Sequence, residues 1–350
     1  MTMLATYADL LTQASYLHVA QEMPNTLAFL QAMPFKPVTN TVGTIIKADL
    51  DGQRRNDGVA SAFGDRISAR LASSSTVSYQ LEPYTDAETA LVVDAVNAAH
   101  YQAGSPDGFL LETAGATAER TLIKVIKGFA DEFLAEGNYG TAQKTDPTNW
   151  TTSTTDLVAQ VRAKVLDVHK QSGLRPDTII LTPDVHYVIE NNVSVQDALA
   201  GFGASTSNGT EYQGQLGLDV YARVFGVKRY FVLDAAYNGA GVGATASNAW
   251  VETNKMLICN MGGATTQGNV ARQRAGLGVG LYMDYSGMIG SDGPNIIGNK
   301  LGSLPFPLWT RQEYEGCVAG GGSNIIISEA AVDFKLIEPK YGHLFYGAIA

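Results

Sequence analysis

Apolar residues recur three and four positions apart between Ala118 and Glu136. Leu122, Val125, Ile126, Phe129, Phe133 and Leu134 form one stripe, and Glu119, Arg120, Lys124, Lys127, Asp131 and Glu132 take the other side. That spacing predicts an amphipathic helix over 118–136, with Thr117 placed to cap its start and Gly137 to end it. At ~1.5 Å per residue it would run roughly 28 Å. Before it, Leu4, Tyr7, Leu10, Leu11, Ala14 and Leu17 give another helical stripe, and Pro24, Pro34 and Pro37 then predict extended chain. Residues 1–40 therefore read as an arm whose apolar face must pack on its own body or on a neighbour.

Between Thr41 and Tyr84 the period changes. Val42 to Leu50 reads as a strand, and Asp51 to Arg66 is polar, with Asp51-Gly52 and Asp57-Gly58 as turn signals. Ile67, Ala69 and Leu71, then Val77, Tyr79 and Leu81, alternate with polar residues as a strand with one covered face does. Each arm of such a ribbon reaches tens of Å at roughly 3.3 Å per residue. An isolated two-stranded ribbon is marginal in water, so it lies across another molecule or folds onto its own domain. The residues alone leave both open.

Asp86 to Tyr101 predicts a helix capped by Thr85 or Asp86, Gly104 to Gly108 a turn, and Gly137 to Trp150 a polar connector. A compact α/β pattern follows. Asp156 to Gln171 is helical, with Leu157, Val158, Val161, Val165, Leu166 and Val168 inside and Gly173 at its end; Thr178 to Leu181 is a short buried strand. Thr182-Pro183-Asp184 starts the next helix, which carries Val185, Tyr187, Val188 and Ile189. Ser194 to Phe202 is a short helix, Gly203 to Thr210 a loop, and Glu211 to Phe225 reads as helical. Val227 to Leu233, Ala249 to Cys259 and Gly276 to Ser286 read as strands, as do Ile325 to Ile327 and Ala331 to Ile337.

Composition narrows the classes. The chain has 350 residues, enough for more than one domain. Charged residues make up only 17% against 45% hydrophobic, which predicts that other subunits cover part of the surface. The net charge of -10 and the absence of a Lys/Arg cluster beyond Arg54-Arg55 argue against tight, specific nucleic-acid binding. They do not argue against enclosing DNA. Two cysteines, Cys259 and Cys317, cannot build a disulfide framework and suit a reducing interior. The first twenty residues lack a basic segment and an unbroken apolar run, so they do not read as a signal peptide, and no apolar run reaches membrane-spanning length.

No catalytic, cofactor-binding or metal-binding set is predicted. His18, His100, His169, His186 and His343 are scattered, and neither a nucleophile elbow nor a phosphate-binding loop motif occurs. Gly239, Gly241 and Ala244 fit G-x-G-x-x-A, but the chain runs on to a strand rather than a helix, so they read as a glycine-rich loop. Gly276, Gly278 and Gly280 sit in a strand and predict close packing. Asp49, Asp51 and Asp57 lack the spacing of a calcium loop. The sequons at Asn149 and Asn208 carry no weight without a secretory signal.

The order of these parts, with TVSYQLEPYTDAE, RPDTIILTPDVHYVIENN, SVQDALAGFG, VFGVKRYFVLDAAYN and AWVETNKMLICN, resembles the major capsid proteins of tailed bacteriophages. The resemblance implies an α+β capsid fold. Residues 1–40 would be the N-terminal arm, 41–84 the extended β-ribbon loop, 85–149 a peripheral domain with spine helix 118–136, 150–285 an inserted axial α/β domain, and 286–350 the return to the peripheral domain. It further implies self-assembly through pentamers and hexamers into an icosahedral virion shell in the host bacterial cytoplasm. Double-stranded DNA would be enclosed without specific contacts, with no membrane. A separate scaffolding protein, a portal and a decoration protein would be partners. Some members crosslink a loop lysine; Lys47 lies in the ribbon, without an identified acceptor. Three other readings stand beside this one: an encapsulin-type compartment, an α/β hydrolase using carboxylates, and an adhesin or virion accessory protein.

Overall fold

The computed structural model describes residues 2–38, 40–48, 74–91, 106–147, 150–201, 217–240, 245–261, 276–283, 308–315 and 323–349. Its organising element is a helix, but a longer one than the stripe predicts. Helices α1 (Thr2–Glu22) and α2 (Pro24–Ala32) open the chain, and α3 spans Pro106–Phe133, 28 residues and about 42 Å at ~1.5 Å per residue. Pro106 sits at its first position, where a missing N–H costs nothing. The predicted start at 118 was therefore twelve residues late, and the Gly104–Gly108 turn overlaps the first turn of this helix. Thr117 is internal: its hydroxyl bonds back to the Thr113 and Ala114 carbonyls. The helix stops at Phe133, before a short 3₁₀ turn at Glu136–Asn138.

The long helix packs on a five-stranded sheet built around β13 (Ser323–Leu336). One edge of β13 pairs with β4 (Glu82–Leu91), and the other pairs first with β12 (Trp309–Glu315), then with β11 (Gly278–Met283). Strand β1 (Phe35–Val38) runs parallel to β11. Alternation sets the faces: Ile326, Ser328, Ala330, Val332 and Phe334 of β13 are buried, and Ala330, Val332 and Phe334 meet Leu122, Val125, Ile126, Phe129 and Phe133 of α3 in one core. Two predictions fail here. The first part of the expected Asp86–Tyr101 helix is strand β4; pairing with β13 overrides helix propensity, and Arg120 and Lys124 of α3 hold Asp86 and Glu88 from above. Residues 325–327 and 331–337 do not form two strands, because β13 runs unbroken to Leu336.

A second sheet has the order β5 (Lys144–Thr145), β14 (Gly342–Tyr346), β10 (Lys255–Cys259), β6 (Thr178–Leu181), β7 (Arg229–Val232). Helices α4 (Leu157–Ser172), α5 (Pro183–Glu190), α6 (Val193–Gly201) and α7 (Leu218–Phe225) supply most of its partners. Asp156 caps α4 by accepting from the Ala159 N–H, and Gly173 ends it at φ 68° in the left-handed region. Leu166, predicted inside, is exposed, as is Tyr187. The predicted 249–259 strand is split into β9 (Asn248–Trp250) and β10 by a turn at Asn254, which also has a positive φ.

This second sheet is a wall between two cores. Ile179, Leu181, Met256, Ile258 and Phe345 face α4 to α7 around Trp150, while Ile180, Leu257, Cys259 and Leu344 face the α3 core. Burial on both faces explains why β6 and β10 read as continuous apolar runs. Strand β11 pairs into the β13 sheet, and β14 pairs with β10.

The ribbon consists of β2 (Val42–Ala48) and β3 (Ser74–Gln80), paired antiparallel from Val42↔Gln80 to Ala48↔Ser74. Ile45, Tyr79 and Leu81 pack on Val279, Leu281 and Ile337 of the chain's own body. The arm also packs on its own body. Tyr16, Val19, Met23, Leu27, Phe29 and Leu30 belong to the α3 core, and Pro24 begins α2 instead of forcing extended chain. Both limbs thus bury much of their described apolar surface on their own chain, while Leu17 of the arm and Val42 of the ribbon stay exposed. Residues 49–73, which include the polar turn region, lie outside the described residues.

Candidate functional site

The four histidines among the described residues have separate partners or none in common. His18 Nε2 lies 3.2 Å from Glu119 Oε2. His186 sits between the Tyr230 hydroxyl (2.9 Å) and Glu190 Oε1 (3.2 Å). His343 is buried with Nε2 2.9 Å from Thr145 Oγ1, and His169 is exposed on the last turn of α4. Among the described residues, no three His, Cys, Asp or Glu side chains converge as a metal site. No helix among them is long and apolar enough to cross a membrane. Gly239 follows β8 (Ala236–Asn238), which pairs antiparallel with β9, and among the described residues around it no helix begins. His100, Asp49, Asp51, Asp57, Gly241, Ala244, Asn149, Asn208 and Cys317 lie outside the described residues.

Burial controls the ionisable groups that the cores do contain. Desolvation pushes the Cys259 thiol and the Tyr139 and Tyr230 phenols well above their usual ranges, so they stay protonated. The His343 imidazole is lowered to about 4, by burial first and then by Lys164, with Asp167 opposing. Its Nδ1 is buried without a hydrogen-bond partner, which makes adding a proton there costly.

A buried hydroxyl seam was not anticipated. Ser15 Oγ of α1 lies 2.9 Å from Thr310 Oγ1 of β12, Thr310 Oγ1 lies 2.9 Å from Ser328 Oγ of β13, and Ser328 Oγ lies 3.0 Å from Thr117 Oγ1 of α3. Ser15 and Thr117 also reach backbone carbonyls, and Thr121 donates to the Ser328 carbonyl. The arrangement spends its hydroxyls on one another and on carbonyls, so it ties four elements together rather than presenting an activated nucleophile. Its only sequence signal was small polar residues at positions in register with apolar ones.

The surfaces are more informative than the interior. On the side of the β13 sheet away from α3, Pro83, Thr85, Ala87 and Thr89 of β4 are exposed, and Ile325 and Ile327 of β13 are only half-buried. Register places Ala87 opposite Ile327 and Thr89 opposite Ile325. On the other edge of β13, register places Arg311 opposite Ile327 and Glu313 opposite Ile325, so Ala87 and the two isoleucines share this face with threonines and charged positions. Further exposed apolar side chains stand singly on the outer helices: Leu17 on α1, Leu166 on α4, Tyr187 on α5 and Val193 on α6.

No family model and no curated protein sequence matches the chain. Solved structures do. A phage-related protein of Bordetella bronchiseptica RB50 is similar over 99% of this chain and 97% of that one, with a TM-score of 0.60 at 13% identity. A virus-like particle of Pyrococcus furiosus is similar over 96% and 98%, with a TM-score of 0.50 at 10% identity. The capsid of cyanophage P-SCSP1u is similar over 90% and 86%, also with a TM-score of 0.50 at 10% identity. The shared feature is an α+β fold over nearly the whole length, the fold that the cyanophage capsid structure also has.

Proposed function

We propose that this chain, which has the fold of a phage capsid subunit, is a shell-forming structural protein that assembles with copies of itself into an icosahedral capsid. The observation that carries the proposal is the end-to-end likeness to the Bordetella phage-related protein, with neither chain leaving a large domain unmatched. The exposed sheet face at Ala87, Thr89, Ile325 and Ile327 is consistent with it, as a surface that a neighbouring copy can cover. Little is gained per contact at ~25 cal/mol per Å² of apolar burial, but a closed shell repeats each contact many times.

In this reading the chain is not an enzyme and holds no cofactor. The α1–α2 segment is the arm, β2–β3 the root of the extended loop, α3 with the β13 sheet the peripheral unit, and the β6–β10 sheet with α4 to α7 the axial unit. Pentamers and hexamers form the shell, double-stranded DNA is enclosed without sequence-specific contacts, and scaffolding, portal and decoration proteins assist. Assembly takes place in a bacterial host's cytoplasm.

The test is sedimentation and negative-stain microscopy of the purified protein, alone and expressed with a scaffolding protein encoded beside it. Closed particles are the expected result. A stable monomer or small oligomer under both conditions would overturn the reading. Particles that carry protein cargo instead of nucleic acid, read from their ultraviolet absorbance ratio, would favour an encapsulin-type compartment.

A further inference from the structure

We propose that α1 and α2 form a kinked strut that couples the N-terminal segment to the β7 edge of the axial sheet. The two helices are nearly continuous. The Met23 N–H bonds to the Val19 carbonyl and the Leu27 N–H to the Met23 carbonyl, across a joint where Pro24 opens α2. Both halves share the α3 core through Tyr16, Val19, Leu27, Phe29 and Leu30, but each has its own set of polar contacts.

Helix α1 is fastened to the peripheral unit. Ser15 enters the hydroxyl seam to Thr310 and reaches the Ala114 carbonyl of α3. Close approach is possible because Gly115 faces His18: a Cβ there would come within 2.6 Å of the imidazole Cγ. Helix α2 is fastened at both ends to the segment that carries β7, at Arg229 on its first position and at Asp234 just past its last. At its start, Asp234 accepts from Thr26 Oγ1 (2.6 Å) and Asn25 Nδ2 (3.0 Å). At its end, Arg229 Nη1 donates to the Ala32 carbonyl (3.2 Å), while Nη2 pairs with Asp177 (3.0 Å). An anion therefore sits at the helix N-terminus and a cation at its C-terminus, matching both ends of the helix dipole. The two clamps flank β7, and Phe29 lies between them against Phe231 and Phe129.

A helix held at both termini by one segment, and joined to a second helix with its own polar contacts, transmits displacement. A partner chain that takes hold of α1 is felt at β7 and at α7, which packs on it. The inference concerns the folded subunit and does not rest on the shell reading.

Hydrogen exchange followed by mass spectrometry tests it on the full chain, comparing wild type with Asp234→Ala, Asp234→Asn and Arg229→Gln. The expected result is exchange faster by about tenfold in 13–22 of α1 as well as in 24–32 and 218–232, with unchanged exchange in β13; a rise in 24–32 and 218–232 that leaves 13–22 unchanged would overturn the coupling. Asp234→Asn, which keeps an acceptor for Thr26, should show a smaller effect. Faster exchange in 24–32 alone would overturn the coupling, as would an equal rise in β13, which reports general destabilisation. If Asp234→Ala does not fold, Asn25→Ala removes one of the two donors and is read in the same way.

Discussion

The ring of Phe133 fills the space beside Gly278: a Cβ built on that glycine would lie 2.3 Å from Phe133 Cζ and 2.4 Å from the Lys335 carbonyl oxygen. The second contact is backbone in a paired strand and cannot give way by a rotamer change. Gly278→Ala is therefore expected to destabilise the protein by about 1–3 kcal/mol, read from thermal or urea unfolding. Gly280→Ala should act similarly by pushing on Phe35, and with it on β1. Unchanged stability in both would mean that α3 is seated less tightly on the sheet than described.

His343 gives a pH dependence with a defined sign. Its pKa falls from an ordinary 6.5 to about 4 in the folded chain, so the folded state favours the neutral ring. Stability from this group is complete above about 6.5 and is lost as pH falls toward about 4, with a total near 3 kcal/mol. Replacing His343 with Phe should flatten the unfolding free energy between pH 6.5 and 4 relative to wild type. Parallel curves for the two proteins would dismiss the role.

The exposed sheet face at Ala87 and Thr89 is expected to be an assembly surface. Ala87→Glu and Thr89→Lys place charge where Ile327 and Ile325 lie opposite. Both variants should keep the wild-type melting temperature within a few degrees, since exposed sites cost little, while particle yield on a sucrose gradient drops. Normal particles from the double variant would move the contact elsewhere.

The ribbon makes a separate prediction. Removing Gly52 to Asp65 leaves the described pairing of β2 with β3 and its seat on Val279 and Leu281 untouched. The expected product is a folded subunit that fails to close shells, with intact circular dichroism and no particles by microscopy. Wild-type particle yield would remove the ribbon from assembly.

Much of the fold was legible where local signals agree. Asp156 and Gly173 mark α4 because capping chemistry is local, and Pro183 marks the start of α5, although the Thr182 hydroxyl bonds the Lys255 backbone instead of capping the helix. The glycines of β11 announced close packing because only a missing side chain permits it. Strand β4 was misread, since its partner β13 lies more than two hundred residues away and local propensity carries no trace of it. Strand β14 was missed for the same reason: Gly342 to Tyr346 is short, and its identity comes from β10. The start of α3 was missed because Pro106-Asp107-Gly108 satisfies a turn as well as a first helical turn. No chemical centre was legible, and the polar groups that matter, Ser15, Thr117, Thr310 and Ser328, converge from four elements with no spacing pattern in the chain.

Because alternate residues of β6, β10 and β14 serve opposite cores, removing either core strips one side of those strands. Neither half of the subunit can therefore melt while the other persists. Calorimetry should record one heat-absorption peak, with calorimetric and van't Hoff enthalpies in agreement. The two cores then share one fate on full unfolding, because the same three strands close both of them.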